Sequence, residues 1–409
     1  MNNGTPGVVV VGGGLAGVRT AEALRRNGYE APVTLVGAER HAPYDRPPLS
    51  KQVLLGTVGE DRVTLRTAAE LALSRIELRL GVAAVALRRD DSKVELSDGT
   101  ALPYERLVVA TGARARTLPG HELAGVHSLR TLDDALAVRA ALETAANVVI
   151  VGGGFIGAEV ASAARARGVQ ATVIEASINP LSGALGPVIA QSCTDLHGAN
   201  GTRVLTGAAV VDFEGDDSVR AVALADGRVI PADLVVCGIG VKPNVEWLAG
   251  TGLDIDGGLR CDSAGRADSA GTIYGVGDVA RWWHPLLGTA NRIEHWAHAV
   301  EQAETVAKTI ATGEPAELTT VPYVWSDQYG VKIQIVGRPD PAHDATVVEG
   351  SLEQARFLAL YTAEGRVSAA VAFGRPRLAA RARPLVGKAV PLAEAIAELG
   401  LTAGVPACR

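Results

Sequence analysis

The sequence predicts an α/β chain in which two parallel-sheet domains are followed by a smaller α+β domain. Three observations carry that expectation. A strand–glycine loop–helix unit occurs twice, at Val8-Val-Val-Val-Gly-Gly-Gly-Leu-Ala-Gly17 and at Val148-Val-Ile-Val-Gly-Gly-Gly-Phe-Ile-Gly157. The chain of 409 residues is longer than one ordinary core accommodates. After about Trp325 the pattern changes to short β-type runs closed by a helix.

In each repeated unit, four β-branched residues make a strand buried on both faces, and a helix rich in Ala and Glu follows the glycines. Gly12 permits the tight turn, Gly14 lets the backbone approach a diphosphate, and Gly17 lets the helix pack on the strand. Gly152, Gly154 and Gly157 repeat those roles. Leu15 and Ala16, and likewise Phe155 and Ile156, open helices whose first-turn amides and dipole favour an anion. A second strand comes next in both units, at Val33-Thr-Leu-Val36 and Ala171-Thr-Val-Ile174. One such glycine fingerprint is weak evidence, whereas two in full strand–helix–strand context predict two Rossmann-like dinucleotide-binding domains. Ser97-Asp-Gly99 and Ala225-Asp-Gly227 are hairpin signals that place a small β-meander beside each unit. In the third domain the strand-like runs are Val331 to Val336, Thr346 to Val348, Phe357 to Tyr361 and Val367 to Ala372, with a final helix near Leu392 to Leu399.

Composition excludes several classes of partner. A formal net charge of −6 supplies no basic face for nucleic acid. No apolar run reaches membrane-spanning length, and the N-terminus lacks the positive stretch and apolar core of a signal peptide, so a cytoplasmic location is expected. Cys193, Cys237, Cys261 and Cys408 are scattered without metal or redox spacing and are expected to be reduced and structural. His295 and His298 stand three apart with no third ligand evident, so no metal site is expected.

Glu175 closes the second strand of the second unit. A carboxylate there accepts ribose hydroxyls and repels a 2′-phosphate, which selects NAD over NADP. In the first unit Glu39 is the corresponding acid, slightly later than the simplest template.

The stretch Tyr44-Asp45-Arg46-Pro47-Pro48-Leu49-Ser50-Lys51 resembles the signature of the oxygenase-coupled, NADH-dependent ferredoxin reductases, a glutathione-reductase-like group. The likeness continues through Ala110-Thr-Gly112, Leu129-Arg-Thr-Leu-Asp133, Gly240-Val-Lys-Pro-Asn244, Tyr274-Gly-Val-Gly-Asp278, Arg292-Ile-Glu294 and Trp325-Ser-Asp-Gln-Tyr329, nearly the whole chain. The resemblance implies FAD on the first fingerprint and NAD on the second. It divides the chain into residues 1–115 and 244–322 for FAD, 116–243 for NADH, and a C-terminal α+β domain over 323–409. The chain departs from the family pattern at Asn179-Pro180, where a basic–apolar pair is usual, and at Val324, where many relatives carry an aromatic.

By the same resemblance, Lys51 lies beside the flavin edge and stabilises its reduced, anionic form. Glu159 approaches and orients Lys51. Asp278, after Gly277, bonds the FAD ribitol. Arg46 and Arg130 face the FAD diphosphate and adenosine. Trp296 and Trp325 pack near the isoalloxazine, Trp325 among the catalytic residues. Ala84, Ala110, Thr111, Gly112, Gly240, Glu294 and His295 complete the implied cofactor contacts. The plainer alternatives are a solvated Lys51, a first-turn helix acid at Glu159, an N-cap at Asp278, exposed arginines, and tryptophans that fill a core.

The function implied is hydride transfer from NADH to FAD, then single-electron transfer to a separate [2Fe–2S] ferredoxin serving a cytochrome P450 or a ring-hydroxylating (Rieske) dioxygenase. No cysteine set is present to ligate a cluster of the chain's own. The acid-free stretch holding Arg375, Arg377, Arg381, Arg383 and Lys388 is a candidate dock for an acidic ferredoxin, or else a solvated face. A monomer or weak homodimer is expected. The rival readings are a thiol-independent NADH oxidase or other pyridine nucleotide-disulfide reductase, and a non-catalytic redox-sensing interaction protein.

Overall fold

The computed structural model describes residues 6–402 and the backbone of 405–406, and the chain clusters into two compact units. One is built from the segment ending at Asp45, Asp61–Arg114 and Val241–Thr320. The other is built from Arg46–Glu60, Ala115–Gly240 and the segment from Val321 onward. Cys408 lies outside the described residues.

The first unit is organised by a five-stranded parallel sheet in the order Ile273–Gly275, Arg106–Val109, Val8–Val11, Val33–Gly37, Ile76–Leu80. Val8–Val11 is buried at all four positions, as a central parallel strand requires. Helices Leu15–Arg26 and Trp296–Thr312 pack on one another, and small residues such as Ala21, Ala303 and Ala307 at 0% exposure allow the close approach. A three-stranded antiparallel sheet, Ala84–Arg88, Lys93–Leu96 and Ala101–Pro103, contains the hairpin expected at Ser97-Asp-Gly99. Gly99 takes φ +83° there, and Asp98 accepts the Thr100 amide at 2.9 Å.

In the second unit another parallel sheet runs Arg203–Leu205, Gln170–Ile174, Asn147–Val151, Leu234–Cys237, Val126–Ser128. The hairpin expected at Ala225-Asp-Gly227 joins Val219–Leu224 to Val229–Pro231. The C-terminal part is a six-stranded antiparallel sheet, ordered Tyr323–Gln328, Val331–Gly337, Arg366–Phe373, Arg356–Ala363, Asp344–Ser351, Val405–Pro406. One face carries helices Pro376–Lys388 and Leu392–Glu398. The other packs Phe357 and Phe373, stacked at 4.6 Å, into one cluster with Leu185, Ile189, Cys193 and Leu196 of the helix Ser182–Ala199. That shared core is why residues read from the sequence as separate domains, 116–243 and 323–409, cluster as one unit.

Helix Pro376–Lys388 was hidden in the sequence by its arginines. Its buried stripe, Ala379, Ala382, Leu385 and Val386, follows helical spacing but consists of small or widely separated side chains.

Candidate functional site

In the first unit, three loops leave the C-terminal ends of adjacent parallel strands, which is where open α/β sheets bind ligands. The glycine loop follows Val8–Val11, Ala110-Thr111-Gly112 follows Arg106–Val109, and Val276-Gly277-Asp278 follows Ile273–Gly275. The loops fit too closely for side chains. A Cβ on Gly12, at φ +130°, would stand 2.0 Å from the Ala110 carbonyl oxygen, and one on Gly17 would stand 1.9 Å from that of Gly12. A Cβ on Gly14 would meet nothing within 4 Å. The backbone at Gly14 is thus bare toward open space where the Leu15–Arg26 helix begins, and the amides of a helix's first turn have no intrahelical acceptor. The described residues therefore fit a bound diphosphate.

Around that loop the quoted motifs interlock. Thr111 and Asn244 exchange hydrogen bonds, Oγ1 to the Asn244 carbonyl at 2.8 Å and Nδ2 to the Thr111 carbonyl at 2.9 Å. Gly277 donates its amide to Gln302 Oε1 at 2.7 Å, and any Cβ on it would sit 2.8 Å from that of Ala16. Asp278 is thereby held next to the glycine-loop helix, in a 3₁₀ turn rather than at an N-cap. Glu39 accepts from the Tyr44 hydroxyl, and Trp296 Nε1 donates to Asp45 at 2.7 Å. His295 precedes helix Trp296–Thr312, and burial lowers its pKa. Ala84 opens the antiparallel sheet Ala84–Arg88, and Glu294 pairs with Arg292.

The second unit repeats the design. A Cβ on Gly152, at φ +100°, would stand 2.5 Å from the Gly238 carbonyl oxygen, one on Gly157 would stand 2.0 Å from that of Gly152, and one on Gly154 would make only van der Waals contact, 4.0 Å from the Gly238 carbonyl oxygen. Glu175 is fixed by its own backbone, accepting the Gly153 amide on Oε2 at 2.8 Å and the Ser177 amide on Oε1 at 2.7 Å. Asn179-Pro180 takes on a structural part here. Asn179 is buried and bonds Thr194 at 3.2 Å, while Pro180 lies against Gly153. Gly240, at φ +92°, accepts the Arg116 amide at 3.0 Å.

Also within the second unit is a buried charged cluster. Leu49–Val53 forms a π-helical turn, in which the Val53 amide reaches the Pro48 carbonyl at 3.0 Å, and such turns frequently mark functional sites. Lys51 projects from it and pairs with Glu159 at 2.7 Å, the two side chains being 13% and 5% exposed. Lys51 is therefore no solvated surface residue, and Glu159 sits on the buried face of helix Phe155–Ala166, past its first turn. The Glu159 carboxylate also accepts from the hydroxyls of Ser50 and Ser326, the latter at 2.7 Å, and from the Asp327 amide at 3.3 Å. Ser50 and Ser326 went unnoticed in the sequence, although both lie inside quoted motifs beside Lys51 and Trp325. Trp325 stacks on Tyr323 with centroids 6.1 Å apart. Arg46 donates to the Arg130 carbonyl, and the Arg130 amide is held by Asp134 at 2.9 Å.

The thiols stand apart from this chemistry. Cys193, Cys237 and Cys261 are buried, and desolvation pushes them up, to about 12 for Cys193 and about 11 for Cys237. None is a ready nucleophile. Among the described residues, no group of three or more His, Cys, Asp or Glu could hold a metal ion, and no helix is long and apolar enough to cross a membrane.

Two dinucleotide cradles and a buried lysine–carboxylate pair define the class: a pyridine-nucleotide-dependent flavoprotein oxidoreductase. The family profile described as pyridine nucleotide-disulphide oxidoreductase matches residues 6–303, and the reductase C-terminal profile matches residues 323–398. The chain belongs to the pyridine nucleotide-disulphide oxidoreductase family and shares its cofactors, FAD and NAD(H). It is 41% identical over 381 residues to the anthranilate 1,2-dioxygenase system ferredoxin–NAD(+) reductase component of Burkholderia cepacia, covering 92% of this chain and 93% of that one. It is 36% identical over 415 residues to putidaredoxin reductase of Pseudomonas putida, covering 97% and 98%. Among solved structures, the covalent putidaredoxin reductase–putidaredoxin complex matches with a TM-score of 0.90 at 36% identity, over 95% of this chain and 94% of that one. The ferredoxin reductase for the CYP199A2 system of Rhodopseudomonas palustris matches with 0.91 at 33%, over 95% and 96%.

Proposed function

We propose that this oxidoreductase is a ferredoxin reductase, oxidising NADH and delivering electrons one at a time to a separate [2Fe–2S] ferredoxin of a cytochrome P450 or ring-hydroxylating dioxygenase system. The observation that carries the reading is a buried Lys51–Glu159 pair in a chain whose described thiols are all buried and raised. That pattern favours thiol-free electron transfer over disulfide reduction. Full-length similarity to reductase components of oxygenase systems supports the same partner class.

Bound FAD supplies the chemistry of accepting a hydride and releasing its two electrons singly. The chain's own residues do the rest. Gly12, Gly14, Leu15, Ala16 and Gly17 hold the FAD diphosphate by backbone amides, Ala110, Thr111, Gly112, Gly277 and Asp278 line its dinucleotide, and Glu39 takes the ribose. Arg46, Ala84, Arg130, Glu294, His295 and Trp296 complete that set. Gly152, Gly154, Phe155, Ile156, Gly157 and Gly240 hold NADH, with Glu175 on the adenosine ribose. Lys51 would supply positive charge to a bound flavin, Glu159 keeps Lys51 in place, and Trp325 would shield the flavin from water.

Of the five cations between Arg375 and Lys388, Arg375 pairs with Glu349 at 2.5 Å, and Arg383 donates to the Val321 carbonyl at 2.7 Å. Arg381 is exposed but donates to the Glu398 carbonyl at 2.6 Å, so the exposed Arg377 and Lys388 are the better candidates to meet an acidic ferredoxin.

The purified protein should be yellow and should bleach with NADH. Cytochrome c should be reduced rapidly only when a [2Fe–2S] ferredoxin is added; equally fast reduction without it excludes the proposed acceptor. Lys51→Ala should retain FAD and slow flavin reduction by about 100-fold, the size seen when one donor to a developing anion is removed. A stopped-flow rate equal to wild type removes Lys51 from this role.

A further inference from the structure

The Glu159 carboxylate has more donors than a salt bridge requires, and their origin is informative. Two, Lys51 and Ser50, come from the π-helical turn Leu49–Val53. The other two, the Ser326 hydroxyl and the Asp327 amide, come from the first strand of the C-terminal sheet, Tyr323–Gln328. Ser326 is 0% exposed, and its oxygen is itself fixed by Gln328 Nε2 at 3.1 Å.

The same strand is anchored again at its far end. Tyr329 donates its amide to Ser162 Oγ at 2.8 Å, and Ser162 stands three residues after Glu159, on the same face of helix Phe155–Ala166. The Tyr329 hydroxyl lies 2.7 Å from His197 Nδ1 and 2.8 Å from Thr202 Oγ1. Tyr329 holds φ +51°, a region a bulky residue enters only where its surroundings enforce it. The strand thus grips the helix at Glu159 and at Ser162, one turn apart, which fixes both its rotation and its height.

We infer that Ser326 is a positioning residue for the reductive half-reaction: its hydroxyl, on the C-terminal sheet, holds Glu159 so that Lys51 is presented in one orientation. This rests on the role proposed above for Lys51. Without Ser326, Glu159 Oε1 keeps only the 3.3 Å amide of Asp327, the weaker of its two contacts from this strand. The carboxylate swings, and Lys51 follows it. The C-terminal sheet in this chain then sets the orientation of the Lys51–Glu159 pair.

The test is Ser326→Ala in the FAD-loaded full chain, with Ser326→Cys as a second variant of nearly the same shape and a much weaker donor. The expected result is a fall of about tenfold in the limiting rate of flavin reduction, with the NADH Kd within twofold, as for the loss of one hydrogen bond to a charged group. A readout independent of turnover is acetylation of Lys51 by acetic anhydride, followed by mass spectrometry, which should rise several-fold in both variants. In a Lys51→Ala background, Ser326→Ala should slow flavin reduction no further.

Wild-type rates and wild-type Lys51 labelling in a folded, yellow Ser326→Cys protein overturn the inference. So does an additive effect in the double variant, which means Ser326 acts by another route. If Lys51→Ala alone leaves flavin reduction unchanged, it is the role of Lys51 that fails, and the labelling result still decides whether Ser326 holds the pair.

Discussion

Replacing Glu175 by Arg tests the proposed cofactor assignment most directly, because the carboxylate proposed to hold the ribose also bonds the chain itself. Its two oxygens accept the Gly153 and Ser177 amides at 2.8 and 2.7 Å, so the acid ties the glycine loop to the loop after Gln170–Ile174. Hydrogen bonds to a charged group contribute about 1.5–3 kcal/mol each. Loss of the ribose bonds, in a loop that has also lost its tie, should weaken NADH binding by about 3 kcal/mol, or roughly 100-fold in Kd. The gain for NADPH should be smaller. An arginine brings a cation to the 2′-phosphate but leaves both amides without their acceptor, so an improvement of about tenfold is expected. Glu175→Gln keeps the shape and one good acceptor, and should cost NADH about tenfold. Stopped-flow reduction of the bound flavin over a range of NADH and NADPH concentrations gives both Kd values. An NADH Kd within twofold of wild type for Glu175→Arg removes Glu175 from the ribose site. A gain in NADPH as large as the loss in NADH shows that the loop does not depend on the carboxylate.

Acid should destabilise the fold through buried histidines. Burial lowers His298 to about 3 and His197 to about 4, so the folded chain keeps both neutral while the unfolded chain protonates them below about 6.5. Stability is full above that pH and falls as pH drops, by about 1.4 kcal/mol per histidine at pH 5.5. Melting temperatures of wild type and His298→Leu between pH 7.5 and 5.5 check this, and an equal slope in both removes His298 from the account. Alkylation by iodoacetamide at pH 8 should leave NADH-dependent flavin bleaching intact, since the described thiols are buried and raised; loss of bleaching returns the thiol-based alternative. Gly157→Ala should give a yellow protein that NADH reduces poorly, because the new Cβ would lie 2.0 Å from the Gly152 carbonyl oxygen and the loop must shift. An NADH Kd within twofold of wild type in that variant shows that the loop does not hold NADH.

How much of this was legible in the sequence follows from where each signal lies along the chain. The glycine loops and their strands were readable because backbone geometry imposes them locally: Gly12 and Gly152 need positive φ, and Gly17 and Gly157 cannot carry a Cβ. The Asp98-Gly99 and Asp226-Gly227 turns were readable for the same reason. The contacts of Glu159 were less so. Its partners lie 108, 109 and 167 residues away, and no periodicity reports such distances; only the family likeness suggested Lys51, and nothing singled out Ser50 or Ser326. The helix Pro376–Lys388 was missed because its apolar stripe is dilute, with two alanines among its four buried positions. The basic stretch consequently looked like one uniform face, whereas Arg375 and Arg383 turn back onto Glu349 and Val321.

Glu159 also shows why a buried ion pair points to function here. Two charges removed from water cost several kcal/mol each, and their mutual attraction repays this only with good geometry and further hydrogen bonds. A hydrophobic pair of similar volume would commonly serve the fold as well or better. This chain instead places Glu159 at 5% side-chain exposure and surrounds it with one ammonium, two hydroxyls and a peptide amide. The hydroxyls and the amide carry no net charge. They hold the carboxylate still without competing with Lys51 for its charge, and so leave the ammonium as the one positive charge bonded to it among the described residues. Lys51, at 13% exposure, is then both partly desolvated and oriented, the condition under which a fixed cation acts most strongly on charge that develops nearby. A thiol in that position would have required a lowered pKa and access to substrate, and burial in this fold has raised its described cysteines instead.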